Sequence, residues 1–364
     1  MRYPLCAICV TELAILSTGM PACARRTDQQ MESHASNRAD SAIAEDGFVR
    51  VGGIGQWISI RGENRENPAI VVFHGGPAVA NSALLATYSG WEKYFTVVQW
   101  DQRGAGKTFG RNGKSTPDMT IDRFVEDGIE VVEYARKRLN KNKVILLGHS
   151  WGSFLGVTIV KKRPELFSAY VGTGQVVGFA QTMTAQYAYI MKRAEADGNQ
   201  DALRDLREIG PPPYGIGPKF FILQKLDDLY VLPVDTQYLQ KMMETVRTTP
   251  NYSSQDVQDW MGGRQFSMQL MAPIVAAMDL PATQGYEMPV PFLIIQGEED
   301  HITPTSAVED YFEKIRAPRK ELVLIKGAGH FAYATNGDEF RAHLLKSVGT
   351  PAGSAGHRSG GRDD

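Results

Sequence analysis

Three segments of this chain hold residues from which a hydrolytic site could be built. Ser150 sits in Gly148-His149-Ser150-Trp151-Gly152, Asp300 in Glu298-Glu299-Asp300-His301, and His330 in Gly327-Ala328-Gly329-His330. A serine hydroxyl is a weak nucleophile until a base accepts its proton and an acid orients that base. The chain order Ser, Asp, His is the one used when the serine lies on a sharp strand-to-helix turn. Such a turn needs small neighbours, and Gly148 and Gly152 supply them. It also aims the amide of the next residue, Trp151, at the place where an oxyanion would develop. Glu298 and Glu299 compete with Asp300 for the acid role. Asp300 is preferred because Pro304 opens the next helix and leaves Asp300 at the loop tip.

The seven histidines narrow to one base. His34 and His357 fall in weakly patterned ends, and His343 in a helical run. His149 lies on the turn itself, with its ring expected to point away from the serine hydroxyl. His301 adjoins the acid and is expected to line the site or face solvent. His74 follows an apolar run and reads as structural. Its loop, His74-Gly75-Gly76-Pro77, offers a second oxyanion donor in the Gly76 N–H. Losing one such donor costs on the order of 100-fold or more in rate. Asp101, in Asp101-Gln102-Arg103-Gly104, comes too early in the chain to be the acid. An Asp101–Arg103 network is expected to brace the 74–77 loop.

The elements that must hold these residues follow from hydrophobic patterning. Apolar runs at 68–73, 95–100, 144–147, 290–297 and 321–325 read as buried strands, each running into one of the polar loops above. The first strands are expected over 48–60, with Gly52-Gly53 as a hairpin turn. Helices are expected near 82–93, from 153 onward and over 121–139, where Phe124, Ile129, Val132 and Ala135 share a face. This alternation predicts an α/β fold: a mostly parallel sheet with helices on both faces. In such sheets the chemistry gathers beyond the carboxyl ends of the strands. From 175 to 284 the pattern turns helical and rich in Met, Tyr and Gln, with a bend at Pro211-Pro212-Pro213-Tyr214.

Together, His74-Gly75-Gly76-Pro77, Asp101-Gln102-Arg103-Gly104-x-Gly106 and Gly148-His149-Ser150-Trp151-Gly152-Ser153 resemble the proline iminopeptidase (prolyl aminopeptidase) family of α/β-hydrolases. The segments around Asp300 and His330 fit as well, so the resemblance spans about residues 47–348. It implies a cofactor-free serine hydrolase with a helical cap that cleaves N-terminal proline from peptides. The chain departs from the family at two places. Ala78 stands where the family has Gly after His-Gly-Gly-Pro, which is tolerable if its φ is negative. The start of the cap, residues 181–189, has neither the acid nor the tryptophan found there in the family, whose cap glutamates bind the substrate's α-amino group. A buried ammonium without a carboxylate would be costly. Glu195, Asp205, Glu208, Asp227, Asp228 and Glu244 are the later acids that could substitute.

The expected organisation is a core of residues 47–174 and 285–348, a cap of 175–284, a flexible segment 25–46 and a disordered tail 349–364. In the cap, Tyr187, Trp260 and Phe266 are candidate pocket residues, although packing between cap helices explains each of them individually. With 364 residues, 43% of them hydrophobic, the chain is large enough for one such core. A net charge of -2 gives no electrostatic case for nucleic acid. No metal-ligand cluster appears, and Gly104-Ala105-Gly106-Lys107-Thr108 lacks the earlier glycine of a phosphate loop. Residues 1–24 resemble a signal peptide interrupted by Glu12, and contain Cys6, Cys9 and Cys23, all three cysteines. Cleavage there implies a bacterial periplasm; without it the protein is cytoplasmic. The stretch is too short and broken for a stable membrane span. The expected substrate is a small peptide or amide, or alternatively a small apolar ester or lactone. A non-catalytic binding protein is disfavoured by the intact triad order, and a dehalogenase or epoxide hydrolase by the serine on the elbow.

Overall fold

The computed structural model describes residues 41–230 and 232–349. Its strands are β1 (Ile43–Val51), β2 (Ile54–Gly62), β3 (Ala69–Phe73), β4 (Thr96–Asp101), β5 (Val144–His149), β6 (Phe167–Thr173), β7 (Phe292–Gly297) and β8 (Lys320–Ile325). They form one sheet in the order β1-β2-β4-β3-β5-β6-β7-β8. The β1–β2 and β2–β4 pairs are antiparallel, and the remaining pairs are parallel. The helices are α1 (Gly106–Asn112), α2 (Ile121–Leu139), α3 (Trp151–Lys162), α4 (Phe179–Asp197), α5 (Gln200–Ile209), α6 (Pro218–Asp227), α7 (Pro233–Thr248), α8 (Ser254–Ala276), α9 (Leu280–Gln284), α10 (Thr305–Lys314), α11 (Ala332–Thr335) and α12 (Gly337–Val348).

The parallel strands are apolar throughout because both faces of the sheet are covered. On β3, Val71 and Phe73 pack under α2 and α3, while Ile70 and Val72 face the opposite core beneath α12. Strand β5 divides in the same way, Leu146 to one side and Ile145 and Leu147 to the other. Helix α2 matches the expected span. Thr120 accepts a hydrogen bond from the Arg123 N–H at its start, and Asn140 ends it in the left-handed conformation at φ 52°. Two expectations need correction. The first strand begins at Ile43, before residue 47, because its pairing with β2 continues out to Ile43 opposite Gly62. Residues 82–93 form only short 3-10 pieces, Asn81–Ala83 and Leu85–Trp91.

Between β6 and β7 the described residues make six helices, α4 to α9. Helices α4, α5 and α6 share a small core of Met183, Ile190, Leu203, Leu206, Phe220 and Leu223. A second cluster joins Met242, Val246 and Trp260 of α7 and α8 to Ala78, Ala80 and Leu84 in the loop after β3. The insertion is thereby packed onto a loop that borders the candidate site. Residues 1–24, 25–40 and 350–364 lie outside the described residues. No helix among the described residues is long and apolar enough to cross a membrane.

Candidate active site

Strands β3, β5, β7 and β8 run parallel, so the loops leaving their carboxyl ends share one edge of the sheet. Ser150 is the single residue between β5 and α3, with φ 53° and ψ -123°. A side chain held at that φ stores about 1–3 kcal/mol of strain. The close approach of α3 to the sheet imposes it. A Cβ on Gly152 would overlap the Phe73 carbonyl oxygen, and one on Gly148 would stand 2.6 Å from Ser153 Cα. The turn is held by the Ser150 N–H to the Thr173 carbonyl at 3.0 Å and the Ser153 hydroxyl to the Ser150 carbonyl at 2.6 Å.

Asp300 and His330, 30 residues apart in sequence, meet with Nδ1 to Oδ2 at 2.9 Å. Both are almost fully buried. Thr303, which the sequence reading did not single out, fixes the carboxylate by donating its N–H to Oδ1 at 2.9 Å and its hydroxyl to Oδ2 at 2.8 Å. Burial opposes protonation of His330, but the Asp300 charge and hydrogen bond, with a lesser contribution from Asp235, raise its pKa above the usual value. Glu298 and Glu299, the other two carboxylates of this loop, are exposed, and it is Asp300 that contacts His330. His301 stacks on Tyr189 with ring centroids 3.8 Å apart. His149 packs its ring 4.8 Å from that of His330 and places Nε2 3.2 Å from the His330 carbonyl oxygen. Burial, followed by the His330 charge, lowers the His149 pKa well below its ordinary value, so it stands beneath His330 as a neutral ring.

The 74–77 loop is braced, though not by the Asp101–Arg103 pair. Asp101 accepts from the Ser82 N–H at 3.1 Å, the Ser82 hydroxyl and the Lys107 N–H at 3.0 Å. Arg103 turns away to Asp127, with Nε to Oδ2 at 2.6 Å. Gln102 is the brace. Its Nε2 donates to the His74 carbonyl at 3.2 Å, its N–H donates to His74 Nε2 at 3.2 Å, and its Oε1 accepts from the Trp151 indole at 2.9 Å. Burial lowers the pKa of His74 to about 4, partly offset by its hydrogen bond to the Gly75 carbonyl, so it is a structural neutral histidine. Gln102 thus ties together the two loops that carry Gly76 and Trp151. Gln102→Ala leaves the His74 carbonyl and the Trp151 indole unpaired in the interior. It is expected to cost about 2 kcal/mol, read as a lower urea midpoint at unchanged m-value. Ala78 has φ 69°, not a negative angle, so its methyl carries roughly 1–2 kcal/mol of strain where glycine would carry none.

A cavity of about 140 Å³ opens against Ser150 and is bordered by both Gly76 and Trp151. Its apolar wall is made by Phe179, Met183, Phe220, Val275, Met278 and Ile302. Tyr187, Trp260 and Phe266 do not line it. Tyr187 donates to the Leu206 carbonyl at 3.1 Å, Trp260 to the Ala80 carbonyl at 3.1 Å, and Phe266 packs on Phe109 at 5.4 Å. Four further polar residues, Thr182, Gln186, Gln224 and Thr303, also border the cavity, and Gln186 and Gln224 form one side of it. Behind them lies Asp227, fully buried, with Oδ2 3.2 Å from Gln186 Nε2 and Oδ1 without a hydrogen-bond partner among the described residues. Burial, then the nearby Asp228 and Asp300 carboxylates, push its pKa up to about 8.

A mostly parallel sheet with a serine on the turn after a central strand is the architecture of an α/β-hydrolase. The profile of the S33 serine aminopeptidase family matches residues 65–333, and the chain belongs to that family. It is 28% identical over 285 residues to probable aminopeptidase YbaC of Bacillus subtilis, covering 78% of this chain and 89% of the relative. It is 25% identical over 312 residues to the proline iminopeptidase of Saccharolobus solfataricus, covering 82% and 91%. Among solved structures, a proline iminopeptidase-related protein from Thermus thermophilus superposes with a TM-score of 0.56 at 18% identity, over 84% of this chain and 97% of that one. A 2-hydroxy-6-oxo-6-phenylhexa-2,4-dienoate hydrolase from Rhodococcus gives 0.54 at 19%, over 84% and 99%. At such identities the likeness shows the fold alone. The protein is a hydrolase of the proline iminopeptidase-like kind.

Proposed function

We propose that this protein is an aminopeptidase that releases N-terminal proline, or a similar small residue, through an acyl-enzyme. Ser150 Oγ attacks the scissile carbonyl carbon while His330 takes its proton, and Asp300 stabilises the imidazolium. The amides of Gly76 and Trp151 hold the oxyanion. Expulsion of the peptide amine, which receives the proton from His330, leaves the acyl group on Ser150. Water activated by His330 then frees the amino acid. Helices α4 to α9 serve as the cap, and the compact apolar wall suits a pyrrolidine ring.

The observation that carries the peptidase reading is Asp227. It is a buried cap carboxylate with a free oxygen, one side chain behind the Gln186 and Gln224 wall. A substrate ammonium drawn to that oxygen would favour its ionised form and supply the missing partner. The esterase reading draws on the same wall, because Asp227 at a pKa of about 8 presents a neutral, mostly apolar pocket at pH 7. Proline p-nitroanilide and p-nitrophenyl butyrate separate the two. Asp227→Asn is expected to lower kcat/KM for the anilide by roughly ten- to a hundredfold, the worth of a charged hydrogen bond, and to leave the ester nearly unchanged. Ester turnover without anilide turnover in the wild type would establish the esterase instead.

A further inference from the structure

One carboxylate near His330 has no part in the chemistry above. Asp235 belongs to the first turn of α7, in the insertion, and is 2% exposed. It crosses to the loop after β8, where Oδ2 accepts the His330 N–H at 3.0 Å and Oδ1 accepts the Phe331 N–H at 3.4 Å. The approach is so close that a Cβ on Gly329 would overlap Asp235 Oδ2 and come within 2.8 Å of Oδ1. The glycine preceding His330 is therefore the seat of this carboxylate. One turn further along α7, Tyr238 packs on Phe331 with centroids 4.8 Å apart. Leu239 beside it packs against the same core, and Met242 adds to the cluster over the 78–84 loop. Positions 235, 238, 239 and 242 are one helix face, and that face sits on the histidine loop.

We propose that Asp235 is a positioning residue: by gripping the main chain of His330 and Phe331 from the insertion, it makes docking of α7 and alignment of the base a single event. The inference rests on His330 being the base. Two buried N–H groups on a loop tip need acceptors, and no described strand of the sheet supplies them. The carboxylate meets both at once, which fixes the loop in two directions. Its charge also lies beside the imidazole, on a different element from Asp300. The groups around His330 are Asp300 and Thr303 from the loop after β7, the His149 ring from the elbow, and Asp235 with Tyr238 from α7; Asp227 interacts with Asp300, and Tyr333 packs on His149. Of these, Asp235 alone grips the His330 main chain from the insertion. The His330 and Phe331 N–H groups have this one carboxylate as their acceptor, so alignment of the base depends on α7 being docked.

The test uses full-length protein, proline p-nitroanilide or p-nitrophenyl butyrate, whichever the wild type turns over, and pH profiles. Asp235→Asn removes the charge and is expected to lower kcat by on the order of tenfold to a hundredfold, the cost of a small misplacement. KM should change little, and the acid limb of kcat/KM should move to lower pH. Asp235→Glu keeps the charge but misplaces it, so kcat should fall with the limb unmoved. Gly329→Ala should reproduce the kcat loss by pushing the carboxylate off its seat. The Asp235→Ala/Gly329→Ala double variant should be less impaired than the two losses combined, because the added methyl then has room. Wild-type kcat and an unmoved acid limb in folded Asp235→Asn would overturn the proposal, as would additive losses in the double variant. His330→Ala distinguishes the two layers. If it stays active, the base assignment fails. If it is inactive while folded Asp235→Asn behaves as wild type, only the role of Asp235 fails.

Discussion

Ser150→Ala is expected to lower turnover by about six orders of magnitude with its melting temperature almost unchanged, whereas Ser150→Gly should be equally inactive but more stable. The difference comes from the backbone. At φ 53° and ψ -123°, an alanine keeps the Cβ and its strain, while glycine has no Cβ to strain. The expected gain for glycine over alanine is about 1 kcal/mol, visible as a rise in melting temperature. Thermal melts and steady-state assays on the three proteins decide both points. Near-normal turnover by Ser150→Ala would remove Ser150 from the nucleophile role. A glycine variant no more stable than the alanine variant would mean that the elbow stores no strain.

Gly152→Ala is expected to be among the most damaging single methyls in the core. The new Cβ would overlap the Phe73 carbonyl and stand 2.8 Å from that of His74. Neither can yield cheaply. Phe73 is the last residue of β3, paired with Gly148 of β5, and the His74 carbonyl is held by Gln102. Helix α3 must move instead, taking the Trp151 amide with it. The cost is about 3 kcal/mol or more, since overpacking against backbone leaves no rotamer to absorb it. Gly156→Ala is the natural comparison. Its methyl would press on the Leu146 and Tyr170 side chains at 2.7 and 2.8 Å, which can shift, so the loss should be smaller. Denaturant midpoints of the two variants measure the difference. Equal losses would show that proximity to the elbow backbone is not what makes position 152 intolerant.

Much of the candidate site was legible because its signals are local. The elbow is a turn whose glycines lie within two residues of Ser150, and the strands before Ser150, Asp300 and His330 announce themselves as apolar runs. Helix α2 carries its own start, stop and periodic face. Thr303 could have been found the same way, since a threonine three residues after an aspartate commonly closes such a turn. The insertion was legible only as helices. Helix α8, which carries Trp260 and Phe266, has apolar residues around most of its circumference, so nothing local distinguishes the face toward the cavity from the face toward a neighbouring helix. Hence Trp260 and Phe266, chosen as pocket residues, are spent on the Ala80 carbonyl and Phe109. Phe220, another bulky side chain of the insertion, does line the cavity.

By itself, then, the sequence determined the sheet's parallel core, the sharp strand-to-helix turn at Ser150 and the chain order of Ser150, Asp300 and His330 at the ends of successive strands, since each depends on residues within a few positions of one another and on strand direction. Tertiary structure alone decided that Gln102 rather than Arg103 links the loops that carry Gly76 and Trp151, that Asp227 stands behind the cavity wall, and that Asp235 grips the His330 loop from 95 residues away. These are contacts between polar groups brought together by the packing of separate elements. A polar residue on a helix carries no periodic mark of its partner; only the burial of that helix face, set by how the insertion docks, turns it from a solvated side chain into a paired one.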